Sequence, residues 1–204
     1  KLPSRELIYN SLHDKLKEMS EAGILPNAIT FAGNGEPTLH PNFEGIIDDT
    51  IVLRDKFAPN AKVSVLSNAT QLHRESVVNA LGKVNDCILK IDAGNEETIS
   101  ILNQPNCKYS LDDVIKKIKL MGSNLVIQTM FVKWNINGKE YNNTDERHVN
   151  QWLEIISLIK PPRLMIYTID RDTPLQTMWK ISKERLDEIG RLAQQFVHSV
   201  SISY

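Results

Sequence analysis

The chain is poor in the residues that build disulfide or metal frameworks: its 204 residues include two cysteines, Cys87 and Cys107. Two thiols so placed supply neither a disulfide scaffold nor a metal-ligand spacing. The five histidines, His13, His40, His73, His148 and His198, include no pair at ligand spacing and are read as solvated or capping groups. No apolar run approaches the roughly 18 residues of a membrane-spanning helix, and no signal peptide stands at the start, so a soluble cytoplasmic protein with no membrane partner is expected. The Asn-x-Thr sequons at Asn68 and Asn142 are accordingly read as coincidence. Charge of one sign is lacking too. Lys plus Arg total 24 against 25 for Asp plus Glu, a net charge of −1, which neither supports nor excludes a nucleic-acid substrate.

What is there is a globular composition, 41% hydrophobic, enough for a sizeable core in one domain over residues 1–204. No internal repeat or low-complexity linker interrupts it. Helical and strand patterns alternate, the signature of parallel βα units. A helix is expected from Pro3 to Ala22, with Leu7, Ile8, Leu12, Leu16 and Met19 on one stripe and Gly23 as its stop. The strand "AITFAG" follows, then a helix opening at Pro41. Next come strand "AKVSVLSN", helix "RESVVNALGKV" and strand "DCILKIDA". Ser110, with Asp113 three residues on, caps the helix "LDDVIKKIKLMG", and "NLVIQTMFV" is again a strand. After the polar excursion "KWNINGKEYNNTDE" come helix "HVNQWLEIISLIK", strand "RLMIYTID", helix "KERLDEIGRLAQQFV" and strand "SVSIS". The stripe Trp152, Ile155, Ile156, Ile159 has helical spacing and is read as core.

Sheets of this kind carry their chemistry on the loops after the strands. The candidate segments are Gly33 to Thr38, Ser67 to Thr70, Lys90 to Gly94, Gln128 to Lys133 and Tyr167 to Thr173. The first, "GNGEP", fails as a phosphate loop. It lacks a third glycine and a following Gly-Lys-Ser/Thr, and Glu36 would repel a phosphate. An acid on such a turn suits a cationic ligand group such as an ammonium, with Gly35 allowing close backbone approach and Pro37 fixing the turn. Glu36 as a cap, or facing water, is the alternative. In "ILKIDA", Lys90 and Asp92 share one strand face and must pair or bind something if buried. They could equally form a plain salt bridge at a rim, or Lys90 could be a Schiff-base lysine tuned by Asp92. Gln128 interrupts an apolar run, as a lone polar residue bonded to neighbouring backbone also would. Ser67 and Asn68 fit a ligand contact or a turn.

Taken together, "GNGEPTLHP", "LSNAT" and "LKIDAGNEETISILNQP" resemble the core of the radical S-adenosylmethionine (radical SAM) superfamily, in particular the branch related to the tRNA wyosine-base synthase. The likeness covers nearly the whole chain. Gly35, Glu36 and Pro37 match the family's Gly-Gly-Glu-Pro motif, with Asn34 where the first glycine is usual. The resemblance implies an α/β fold, a partial parallel (βα)6 TIM-like barrel with its first βα unit missing. S-adenosylmethionine would be the cofactor: Glu36 would hold its ammonium, while Asn68 and Lys90 or Asp92 would contact its carboxylate and ribose hydroxyls. Gln128 would face the same cavity, and backbone around Tyr167 to Ile169 would lie beside the adenine. The family's Cys-x3-Cys-x2-Cys loop, which holds a 4Fe-4S cluster, does not occur here. The chain opens on Lys1 rather than Met, so the cluster ligands are expected upstream of Lys1; a degenerate member that never bound iron is the alternative. A reductant such as flavodoxin or ferredoxin would serve as partner, and the substrate would be a modified tRNA, a glycyl-radical protein or a small molecule. A Schiff-base lyase using Lys90 and a non-catalytic cofactor- or partner-binding barrel are the competing functions.

Overall fold

The structure, a computed structural model, describes residues 2–33, 35–170 and 177–204. It is an α/β fold with a parallel sheet of six strands, the architecture of a partial TIM-like barrel. Strand order in that sheet is β1-β2-β3-β4-β7-β9, and a separate three-stranded sheet has the order β6-β5-β8. Here β1 is Ala28–Phe31, β2 Lys62–Ser67, β3 Asp86–Lys90, β4 Leu125–Met130, β5 Lys133–Ile136, β6 Lys139–Asn142, β7 Arg163–Tyr167, β8 Met178–Trp179 and β9 Ser199–Ser203. The helices are α1 (Arg5–Glu21), α2 (Phe43–Phe57), α3 (Glu75–Lys83), α4 (Glu96–Asn103), α5 (Leu111–Ile118), α6 (Glu146–Ile159) and α7 (Lys183–Ala193), with a short 3-10 turn at Pro37–Leu39. The chain divides into two compact units, Lys1–Ile88 and Leu89–Tyr204.

In the first unit, Ser4 caps α1 by accepting the Leu7 N–H at 3.2 Å. Of the predicted stripe on this helix only Leu16 is fully buried, and Leu7 is 57% exposed. Leu16 joins Leu53, Ala58 and Ala61 in a core cluster flanked by Leu12, Ile29 and Phe57. Strands β1 and β2 pair in parallel, from Ala28 opposite Lys62 to Phe31 opposite Val65. Pro41 does not open the second helix. Asn42 is its N-cap residue and Phe43 its first, while Pro37 opens the 3-10 turn, because its fixed φ suits the first position of either kind of turn.

In the second unit, β4, β7 and β9 pair in parallel, with Met130 opposite Tyr167 and Tyr167 opposite Ser203. The stripe on α6 is core as expected: Trp152 is 1% and Ile156 0% exposed, and Ile155 and Ile159 pack against Ala93, Ile99, Leu111 and Ile115. Ser110 caps α5 through the Asp113 N–H. Besides β8 and the 3-10 turn, a hairpin and a helix were not anticipated. The polar excursion folds as the antiparallel hairpin β5–β6, turned by Asn137 and Gly138 at φ 52° and 84°, the two left-handed residues of a type I′ turn. The eight residues of α4 form a helix capped by Asn95, whose Oδ1 accepts the Thr98 N–H at 2.8 Å.

Candidate functional site

In the first unit the Glu36 carboxylate binds its own turn and the end of β2. Oε1 accepts the Thr38 N–H at 3.1 Å and the Thr38 hydroxyl, and Oε2 accepts the Asn68 N–H at 2.7 Å. It is thus both the cap of the 3-10 turn and a tie between two strand-end loops. A carboxylate has about four acceptor positions, and three are taken, which leaves one for a further donor. Glu36 and Pro37 are half-buried, and Gly35 and Asn68 are exposed. Gly33, at φ +135°, holds a backbone conformation that disfavours any side chain. Asn34 lies outside the described residues.

The Asn68 side chain is turned back on its own loop. Its Oδ1 accepts the Thr70 N–H at 3.0 Å and the Thr70 hydroxyl at 2.7 Å, an Asx turn. Ala69 is accordingly left-handed, at φ 63°, and its N–H donates to Ser67 Oγ at 3.1 Å. Thr38, at the end of the first candidate segment, and Arg74, which sequence reading passed over, complete this cradle. Thr38, 0% exposed, supplies two of the bonds to Glu36. Arg74 donates to the carbonyls of Thr38 at 2.9 Å and Pro41 at 3.3 Å. His40 is capping, as expected: its Nε2 lies 2.9 Å from the Pro3 carbonyl oxygen, and its Nδ1 accepts the Asn42 N–H at 3.1 Å, so Nε2 carries the proton.

In the second unit Lys90 ends β3, and its ammonium lies 3.2 Å from Asp92 Oδ2. The Asp92 side chain is fully buried and that of Lys90 is 30% exposed. Oδ2 has no hydrogen bond of good geometry, so the ion pair is what compensates its burial. Oδ1 accepts the Met130 N–H at 2.8 Å. Tyr167 is near enough to act electrostatically on the pair. Burial is the largest influence on Lys90 and opposes its charge, but Asp92 and Tyr167 together outweigh it and raise the ammonium above the ordinary lysine range. Burial also raises the Tyr167 phenol, Asp92 adding to that and Lys90 opposing it. Tyr109 is raised by burial and then by Asp92 and Glu96. Lys90, Asp92 and Tyr167 are therefore one cluster. Gln128, half-buried on β4, is joined through its backbone to the segment after β3, its carbonyl accepting the Ile91 N–H at 3.0 Å. The Tyr167 carbonyl is likewise engaged, by the Phe131 N–H at 2.8 Å. Of the last candidate segment, residues 171–173 lie outside the described residues.

Behind this cluster, Gly94 carries the close packing of α6. A Cβ there would stand 2.2 Å from the Gln151 carbonyl carbon. Thr129, 0% exposed, donates to the Ile91 carbonyl at 2.7 Å and accepts the Trp152 indole N–H at 3.0 Å. No cluster of three His, Cys, Asp or Glu side chains able to hold a metal ion occurs among the described residues. Burial pushes the Cys87 thiol up to about 12, the reverse of what a thiolate ligand needs, and Cys107 is exposed. The residues in hand therefore do not fit an iron-sulfur cluster.

The fold is one found in radical SAM proteins. The chain superposes on a domain of pyruvate-formate lyase-activating enzyme from Bacteroides vulgatus with a TM-score of 0.58 at 18% identity, over 88% of this chain and 100% of that one. Streptococcus suis SuiB bound to S-adenosylmethionine gives a TM-score of 0.67 at 16% identity, over 96% of this chain and 43% of that one. Archaeal TYW1 gives 0.56 at 13% identity, over 97% and 66%. In sequence the chain is 28% identical over 169 residues to UPF0026 protein slr1464 of Synechocystis, covering 80% of this chain and 58% of that protein. It is 24% identical over 188 residues to a protein of Brachyspira hyodysenteriae named GTPase Obg, covering 88% of this chain and 26% of that protein. The chain thus spans about a quarter and somewhat over half of these two curated relatives. No family model matches it.

Proposed function

We propose that the whole protein to which this chain belongs is a radical SAM enzyme, an oxidoreductase or an activating enzyme. When bound, S-adenosylmethionine and a 4Fe-4S cluster would supply reductive cleavage and removal of a substrate hydrogen by a 5'-deoxyadenosyl radical. No step of it falls to the described residues; their share is binding and orientation. The observation that carries the reading is the Glu36 carboxylate, pinned by three donors on a glycine-bearing turn after β1 with one acceptor position to spare. An ammonium is the donor it suits. Lys90 provides the complementary charge for an anionic group, and Asn68, Asp92, Gln128, Gly35, Pro37 and Tyr167 complete the proposed cofactor set. The assignment of both groups of residues to one ligand comes from the sequence resemblance.

The Schiff-base alternative is disfavoured by chemistry, since a nucleophilic lysine needs a lowered pKa and Lys90 is held charged by Asp92 and Tyr167. A reductant such as flavodoxin or ferredoxin, a tRNA, glycyl-radical-protein or small-molecule substrate, and a cytoplasmic location remain parts of the proposal. No described helix is long and apolar enough to cross a membrane. The test is anaerobic expression of the full reading frame containing this chain, with 5'-deoxyadenosine release measured under reductant. No release would sink the reading. Tight binding of S-adenosylmethionine by the chain alone, read by calorimetry, would favour a non-catalytic binding role instead.

A further inference from the structure

We infer that Asn143 is a positioning residue for the Lys90–Asp92 pair, so that the β5–β6 hairpin sets the geometry of the cationic half of the proposed cofactor set; the role rests on that functional reading. Asn143 follows β6, is 1% exposed, and spends its whole amide on backbone that flanks the pair. Its Oδ1 accepts the Val132 N–H at 2.8 Å. Its Nδ2 donates both protons, to the Asp92 carbonyl at 3.0 Å and the Met130 carbonyl at 2.8 Å. The Met130 N–H in turn donates to Asp92 Oδ1 at 2.8 Å.

A closed ring results, in which Asp92 touches Met130 through its carboxylate, and both touch Asn143 through their carbonyls. Asp92 cannot swing without breaking it. Since Asp92 Oδ2 is the group that faces the Lys90 ammonium at 3.2 Å, the ring fixes where that ammonium sits. These carbonyls lie at the end of β4 and just past β3, where ladder bonding stops, and the side chain that satisfies them comes from 13 and 51 positions away. Asparagine is the residue type that fits, because two donors and one acceptor are needed on one short stem. Aspartate, of the same shape, would set a carboxylate against two carbonyl oxygens.

The experiment compares wild type, Asn143→Asp and, as a control of stability alone, Ile156→Val in the full protein. Two readouts are taken: labelling of Lys90 by acetic anhydride as a function of pH, followed by peptide mass spectrometry, and S-adenosylmethionine affinity. Asn143→Asp is expected to change the Lys90 labelling profile and to weaken binding about tenfold, as a small misplacement of a ligand-holding group does. Ile156→Val should lower Tm while leaving both readouts at wild type. An unchanged Lys90 profile in folded Asn143→Asp overturns the inference. A changed profile in a protein that binds no S-adenosylmethionine in any form upholds the positioning of Lys90 and removes the functional reading instead. Should Asn143→Asp not fold, Asn143→Ser, which keeps one donor, is read by the same criteria.

Discussion

Two acids follow two strands of this chain, and they are treated in opposite ways. Glu36 is half-buried, bonded only to neutral donors, and keeps an acceptor position in reserve. Asp92 is fully buried, with one oxygen on a backbone N–H and the other against a lysine, and no part of its carboxylate faces solvent. The difference separates an acid open enough to meet a ligand directly from one that bears on it through Lys90. Both are candidate contacts in the sequence; accessibility and the charge of the neighbouring groups distinguish them.

The largest effect expected on this comparison comes from behind Asp92. Gly94→Ala drives a Cβ to within 2.2 Å of α6 backbone, and the second unit should lose about 3 kcal/mol or more, seen as a fall in the denaturation midpoint by circular dichroism. Asp92→Asn keeps an acceptor for Met130 but leaves Lys90 unpaired. Because Lys90 retains some solvent contact, the cost should be about 2 kcal/mol, below that of a fully buried broken pair. Glu36→Gln should cost under about 1 kcal/mol, while abolishing deoxyadenosine release in the full protein. If Glu36→Gln proved the more destabilising of the two, the contrast between the acids would collapse.

Smaller effects separate the units further. Asp145 caps α6, and although burial opposes it, the backbone and ring of His148 and the charges of His148 and Arg147 hold its carboxyl below the usual range. A carboxyl lowered on folding stabilises above its unfolded pKa and loses that contribution as pH falls through the folded value. The stability gap between wild type and Asp145→Ala should therefore shrink below about pH 4. Finally, a thiol reagent should titrate Cys107 in the native protein, and Cys87, with its thiol pushed up to about 12 by burial, only on unfolding.

The elements most legible in the sequence were those whose signal is local. Five strands of the parallel sheet stand on short apolar runs, and Ser110 sits beside the turn it caps. The hairpin β5–β6 escaped because its strands are polar and its Asn137-Gly138 turn lay within what read as a loop. In α4 the apolar residues Ile99, Ile101 and Leu102 lack the i, i+3, i+4, i+7 spacing that Leu111, Val114, Ile115 and Ile118 give the equally short α5. At the site, Glu36 stood out by its company of glycine and proline, and Lys90 by a charge in an apolar run. Arg74 and Asn143 did not stand out, because their meaning lies in bonds across 36 and 51 positions. No spacing rule connects such residues to the groups they serve.

The two Asn-x-Thr stretches carry a consequence for handling the protein. Asn142 repeats the turn of Asn68, its Oδ1 accepting the Thr144 N–H at 2.8 Å and the Thr144 hydroxyl at 2.6 Å. The pattern that a glycosylating host reads as an acceptor is here a device for ending a strand. Production through a eukaryotic secretory route would invite a sugar onto the two amides that close these loops, one of them directly before Asn143. A cytosolic host leaves both turns, and the ring that depends on the second, as the chain makes them.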